Sequence, residues 1–317
     1  MKPMNHLKSI FLASALILGI SITAHAEINV VSSVKPLHSL VSGVMEGVAR
    51  PDLIVKGSAS PHTYSLRPSQ ARQLEDADLV FWMGHELESF LEHPLEAIAT
   101  KAQIVELIDS SKLKKIKMRE GGMFDAHAHD DHDEHEGHDD HGHGEFDVHV
   151  WLDPENAKVL VDEIKLALIE LDPVNSSKYE SNSNKMNMKL DQLIDEVSNK
   201  LESDKGKGYV VFHDAYQYFE QRFGMSAVGS ITVSPEVVPG ANRIRELKNK
   251  INELNAHCVF SEPQFEPKLV STVVEGTQAN TGVLDPLGAS IKDGPELYFT
   301  LIRNMADSLH ECLSKKD

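Results

Sequence analysis

INVVSSVKPLHSLVSGVMEGVARPDLIVK, residues 28–56, sets the fold class. Ile28 to Val34 is a short β-branched run that reads as a strand. Pro36 then opens a helix to about Gly47, and Asp52 to Lys56 is a second strand. The alternation continues outward. A helix that Ser69 can cap runs to Asp76, DLVFWMG (Asp78 to Gly84) is a third strand, and QIVELID (Gln103 to Asp109) is a fourth, with a helix through Leu91 and Ile98 between them. Strands alternating with helices at this spacing predict a parallel sheet covered by helices.

The same pattern returns near the C-terminus. GYVVFHDA (Gly208 to Ala215), Ala227 to Thr232, Cys258 to Ser261 and Thr281 to Leu284 read as strands, with a helix over Asn242 to Leu254 and a closing helix from Leu297 to Leu313. Between the halves the chain is helical. Asp153-Pro154 and Asp172-Pro173 each supply a capping residue followed by proline at the first turn. The second helix keeps Tyr179, Met186, Leu190, Leu193, Val197 and Leu201 on one face to near Ser203. The expected fold is therefore α/β, with two lobes, each a small parallel sheet covered by helices, bridged by a long helix. The expected domains are an N-terminal lobe over 27–153, inter-lobe helices over 154–205 and a C-terminal lobe over 206–317.

Residues 1–26 stand apart. Lys2, His6 and Lys8 precede an apolar run from Ile10 to Ile22, and Ala24-His25-Ala26 has the small residues of a cleavage site. This predicts a signal peptide cleaved after Ala26, hence an exported protein. The apolar run is shorter than the ~20 residues a membrane span needs. The 317-residue chain carries a formal net charge of −18, and losing Lys2 and Lys8 makes it more negative. Such a polyanion is a poor nucleic-acid binder and attracts cations. The two cysteines, Cys258 and Cys312, are expected to form one disulfide in an oxidising compartment.

One segment is unlike the rest. FDAHAHDDHDEHEGHDDHGHGEFDVHVWLDP, residues 124–154, holds His127, His129, His132, His135, His138, His141 and His143 among Asp, Glu and Gly. Imidazole and carboxylate are ligands that zinc accepts, and a stretch this polar has little to bury. It reads as a metal-attracting loop over about 125–145, a second and weaker zinc site, leading into an ordered strand-like run from Phe146 to Leu152 that carries His149. Floppy ligands lose entropy on binding, so the tight site is expected on the scaffold. In open α/β sheets ligands bind beyond the carboxyl ends of the strands. Four candidates stand at such places: His62 after the second strand, His149 before the first inter-lobe helix, His213 closing YVVF, and Asp285 in TGVLDPLG. Two come from each lobe, which places a cation in the cleft between them. Asp214 or Glu262 could orient the ligating imidazoles. His38, His85, His93, His257 and His310 read as packing or surface residues.

SPHTYSLRPSQARQLEDADLVFWMG, DVHVWLDPENA, GYVVFHDAYQYFEQRFG and TGVLDPLG together resemble the zinc-binding periplasmic solute-binding proteins of ABC importers, the ZnuA type. The resemblance covers nearly all of the chain after residue 26. It implies two α/β lobes joined by a long helix, with Zn²⁺ between them on His62, His149 and His213 and with Asp285 near or on the metal. It further implies a monomer that hands zinc to the importer's transmembrane permease and performs no catalysis, and a loop that collects zinc or blocks uptake when zinc is plentiful. Manganese-binding relatives are similar but carry glutamate where His213 stands, so the histidine favours zinc. Some members have an acidic residue before the first histidine. Here that residue is Pro61, which leaves the fourth position to Asp285 or to water. Two other readings of the residues are a zinc hydrolase, which would need a general base beside the metal, and a metal buffer relying on the loop alone.

Overall fold

The computed structural model describes residues 28–119, Phe124, 146–232 and 239–315. Residues 1–26, expected to be a signal peptide, and the histidines His127 to His143 lie outside the described residues.

Eight strands form two four-stranded parallel sheets. In lobe one these are β1 (Val30–Ser32), β2 (Asp52–Leu53), β3 (Leu79–Trp82) and β4 (Gln103–Glu106), in the order β2-β1-β3-β4. Lobe two has β5 (Tyr209–His213), β6 (Ala227–Thr232), β7 (Cys258–Ser261) and β8 (Asn280–Val283), in the order β6-β5-β7-β8. The two orders are the same. Each lobe starts beside its own centre, winds one way and then the other, so that a crevice opens between the first and third strands of each sheet.

Helices α1 (Lys35–Val44), α2 (Pro68–Glu75) and α3 (His85–Ala97) belong to lobe one. Bridging helices α4 (Pro154–Leu171) and α5 (Ser176–Leu201) follow, and α6 (Gln217–Phe223), α7 (Ala241–Glu253), α8 (Pro267–Val274) and α9 (Leu297–Leu313) complete lobe two. At 26 residues, α5 is about 39 Å long at 1.5 Å per residue. It packs on α4, α1 and α9 and so touches both lobes. Gly43 of α1 leaves room for the side chain of Met186 on α5: a Cβ there would lie 2.0 Å from Met186 Sδ, so the methionine tip would have to move.

One apolar core runs through lobe one, α4, α5, α9 and the inner face of the second sheet. The outer face of that sheet has its own core, in which Val210 and Phe212 pack with Ile231, Leu247, Ile251 and Val270. Alternation along β5 thus sends Val210 and Phe212 outward and Tyr209, Val211 and His213 inward. Polar ties reinforce the joint. Buried Lys35, at the start of α1, donates to the carbonyls of Ala289 (3.1 Å) and Ile291 (2.8 Å) and pairs with Asp293. Arg222 of α6 makes a two-pronged bond with Asp153 (2.6 and 2.8 Å), which also caps α4 by accepting from Glu155 N–H.

Several expectations need correction. The run Phe146 to Leu152 is no strand. Phe146 makes a single antiparallel bridge with Lys117, and Val150–Leu152 is a 3₁₀ turn. Its apolar side chains are buried, but its polar backbone is held by side chains: Trp151 O accepts from Tyr298 OH at 2.6 Å. Helix α2 starts at Pro68, so Arg67 rather than Ser69 takes the capping position. Helix α8 was not foreseen, because the β-branched run in Pro267–Val274 carries little helical signal.

Candidate metal centre

The loop after β2 turns sharply at Pro61–Thr63, a 3₁₀ turn that carries His62. Gln70 of α2 pins this loop: its Nε2 donates to Ile54 O (2.6 Å) and Tyr64 Oη (2.8 Å), and its Oε1 accepts from Arg67 N–H. Pro61 has no side-chain donor to offer. His149 immediately precedes the Val150–Leu152 turn and is buried. His213 ends β5, on the inward face, at the crevice between β5 and β7. In the equivalent place of lobe one stands buried Glu88, whose Oε2 accepts from Met83 and Gly84 N–H (2.7 and 3.2 Å) at the end of β3. One crevice presents a ligand; its counterpart is stoppered.

The three histidines converge. One ring nitrogen of each lies within 4.8 Å of the others. Ring centroids are 5.3 Å (His149–His213), 5.6 Å (His62–His149) and 5.9 Å (His62–His213) apart. His149 Nε2 and His213 Nε2 are 3.4 Å apart. A tetrahedral zinc with Zn–N bonds of about 2.0–2.1 Å sets its ligand nitrogens about 3.4 Å apart.

The protons can be assigned from the partners. His149 Nδ1 lies 2.7 Å from Asp147 Oδ1, which also accepts from His149 backbone N–H. His213 Nδ1 lies 2.7 Å from Glu262 Oε1, which accepts from His213 backbone N–H. Each carboxylate oxygen is thus an acceptor, and each Nδ1 carries the hydrogen. Both Nε2 atoms are then bare, with no proton to share across 3.4 Å. Two lone pairs aimed at one point call for a cation.

The electrostatics agree. Burial, and then the neighbouring imidazoles, hold His62 well below the ordinary histidine range. Burial and then His213 hold His149 down to about 3. Burial also works against a charged His213, but Glu262, Asp147 and Asp214 together outweigh it and raise this residue. Burial pushes Asp147 up to about 7, against the pull of His149 N–H, His213 and Arg119. A cation on the Nε2 atoms favours ionised carboxylates behind them.

Asp285 is not part of this group. Its Oδ1 accepts from Leu287 and Gly288 N–H (3.2 and 2.9 Å) and from Gln264 Nε2 (3.0 Å), and its Oδ2 accepts from Ala289 N–H (2.6 Å), so the carboxylate is engaged by the turn that follows it. Glu262 orients an imidazole, but Asp214 does not: it pairs with Arg119, which also binds Glu220. Sequence reasoning missed Asp147, although an acid two residues before a histidine, as in Asp147-Val148-His149, is a legible cue. His38 bonds Pro51 O and His310 bonds Asp204, in keeping with packing roles. Cys258 and Cys312 form a disulfide that joins β7 to α9.

A cavity of about 10 Å³ lies at the three imidazoles, lined also by Trp151, Glu262, Gln264 and Pro286. That is close to the ~10–15 Å³ a single water needs. It has room for a single ion at the imidazoles.

The sequence matches the family model described as "Zinc-uptake complex component A periplasmic" over residues 30–312. It is 52% identical to the high-affinity zinc uptake system protein ZnuA of Brucella suis biovar 1 (strain 1330), over 98% of this chain and 100% of that protein. With the Yersinia pestis protein of the same description it shares 37% identity, over 97% and 98% of the two chains. The fold superposes on the periplasmic zinc-binding protein TroA from Treponema pallidum with a TM-score of 0.76 at 19% identity, over 92% of this chain and 100% of that one.

Proposed function

Because this chain belongs to the family of periplasmic zinc-uptake component A proteins, we propose that His62, His149 and His213 grip one Zn²⁺ between the lobes while a water fills the fourth position. Proteins of this family are non-enzymatic transport components, periplasmic, that deliver zinc to the permease of an ABC importer. The observation that carries the site assignment is the convergence of three ring nitrogens within 4.8 Å. Neutral imidazole is a borderline nitrogen donor well suited to zinc. Asp147 and Glu262 fix two of the rings and supply the negative charge that three neutral ligands do not.

The finer assignments belong to the same reading. Residues 1–26 are a signal peptide removed on export, the mature chain is a monomer, and the histidines His127 to His143 form a second, weaker zinc site. Metal analysis tests the assignment. The purified chain lacking residues 125–145 is expected to retain one zinc that resists a moderate chelator. Loss of that zinc on deletion would assign tight binding to the loop instead.

Affinity should also fall with pH in a particular way. An imidazole must be neutral to ligate. Burial keeps His62 and His149 neutral far below the ordinary value of 6.5, whereas His213 lies above it. A group that is raised is protonated sooner as pH drops, so one proton, on His213, competes with zinc first. Affinity is expected to fall by at most about tenfold per pH unit below that point. Chelator competition across this range gives the slope. A slope near three would mean that all three rings titrate together.

A further inference from the structure

We infer that Gln264 is a positioning residue whose side-chain oxygen receives a hydrogen bond from the water on the cargo zinc. This rests on the three-imidazole reading above and assigns the fourth position a specific acceptor. Gln264 lies just beyond β7, three residues after Ser261, and lines the small cavity beside the imidazoles. Its amide orientation follows from its partner. Asp285 Oδ1 lies 3.0 Å from Gln264 Nε2 and already accepts from Leu287 and Gly288 N–H. An oxygen in that role can face only a donor, so the amide NH₂ points to Asp285 and the carbonyl oxygen points away. That oxygen, Oε1, is buried and has no hydrogen-bond partner among the described residues.

A buried amide oxygen left without a donor costs about 1–3 kcal/mol, and buried acceptors of this kind are met by protein or by ordered water. The donors within the cavity wall are few. His149 and His213 spend their Nδ1–H groups on carboxylates, and Trp151 Nε1–H donates to Pro286 O at 2.9 Å. Pro61 gives nothing, and neither Ser60 nor His62, which also line the cavity, hydrogen-bonds this oxygen. A water on a zinc held by the three imidazoles brings O–H donors to this wall of the cavity. Asp285 then acts on the site at one remove: it fixes Gln264, and Gln264 fixes the water. A neutral acceptor here, in place of a carboxylate ligand, leaves the fourth ligand exchangeable, which suits a carrier that must let its ion go.

Stopped-flow release of zinc into excess chelator, with Gln264→Leu and Gln264→Ala, tests this. Leucine keeps bulk but removes the acceptor. Alanine opens room for a second water that can replace it. Release from Gln264→Leu is expected to be 10–100-fold faster than from wild type, the usual effect of losing an outer partner of a metal site, with Gln264→Ala closer to wild type. The visible absorption of the cobalt-loaded Leu variant should shift as well. Wild-type release rates and cobalt spectra in Gln264→Leu would overturn the inference. So would an Ala variant as fast as the Leu variant, with a matching fall in the apo Tm of both, since that marks a mere latch to Asp285. A wild-type chain with no single tight zinc would instead defeat the underlying site assignment.

Discussion

Replacing any one of His62, His149 or His213 by alanine should lower zinc affinity by a hundred- to a thousandfold. Zinc held by a full set of protein ligands contributes ≈ 10–16 kcal/mol, or roughly 3–4 kcal/mol per ligand, and each 1.4 kcal/mol is a factor of ten. The three variants should not behave alike in the apo state. His149→Ala and His213→Ala strand Asp147 and Glu262, which are buried and lose a 2.7 Å partner. His62 has no such acceptor, so His62→Ala should keep the apo Tm of the wild type. Asp285→Asn supplies the contrast. A side chain engaged by the turn that follows it is expected to cost at most tenfold in affinity, with a lower Tm. Competition against chelators of graded strength, paired with thermal melts, checks all four. A loss on Asp285→Asn as large as that for the histidines would put this carboxylate on the metal.

The second large effect is on folding. Cys258 and Cys312 are 54 residues apart in sequence, and closing a loop of that length removes about 4 kcal/mol of entropy from the unfolded chain in the chain-entropy picture. Against a typical total of ≈ 5–15 kcal/mol that is a large share. The paired change Cys258→Ala with Cys312→Ala is expected to lower the unfolding free energy by about 2–4 kcal/mol, read from urea unfolding extrapolated to water, with a steeper slope because the unfolded chain expands. Wild type unfolded in reductant should follow the same curve. A difference below about 1 kcal/mol would mean that α9 is held by packing alone, since Leu301, Ile302, Met305 and Leu309 of that helix are all buried.

Much of this was legible because the elements are locally consistent. Apolar strand runs such as Tyr209 to Phe212 advertise a sheet covered on both faces, and Asp153-Pro154 announces α4 by its cap. The three convergent histidines were legible as polar residues at strand ends and turns, where a parallel sheet gathers its functional groups. Other features depend on tertiary partners. Val148 to Leu152 reads as a strand by composition, yet Asp147, Tyr298 and Pro286 hold it as a turn. Whether Asp285 faces metal or backbone turns on the path of the four residues after it, which no pattern encodes. Gln264 gave no signal, because its meaning lies in which of its two polar ends is already taken.

The shared core of the two lobes bears on how cargo leaves. Binding proteins built on a flexible waist can gape to discharge a ligand. Here α5 and α9 belong to both halves, and their apolar faces would have to be exposed for the halves to swing apart. Wide jaws are therefore costly, and the two halves are confined to small displacements about a common spine.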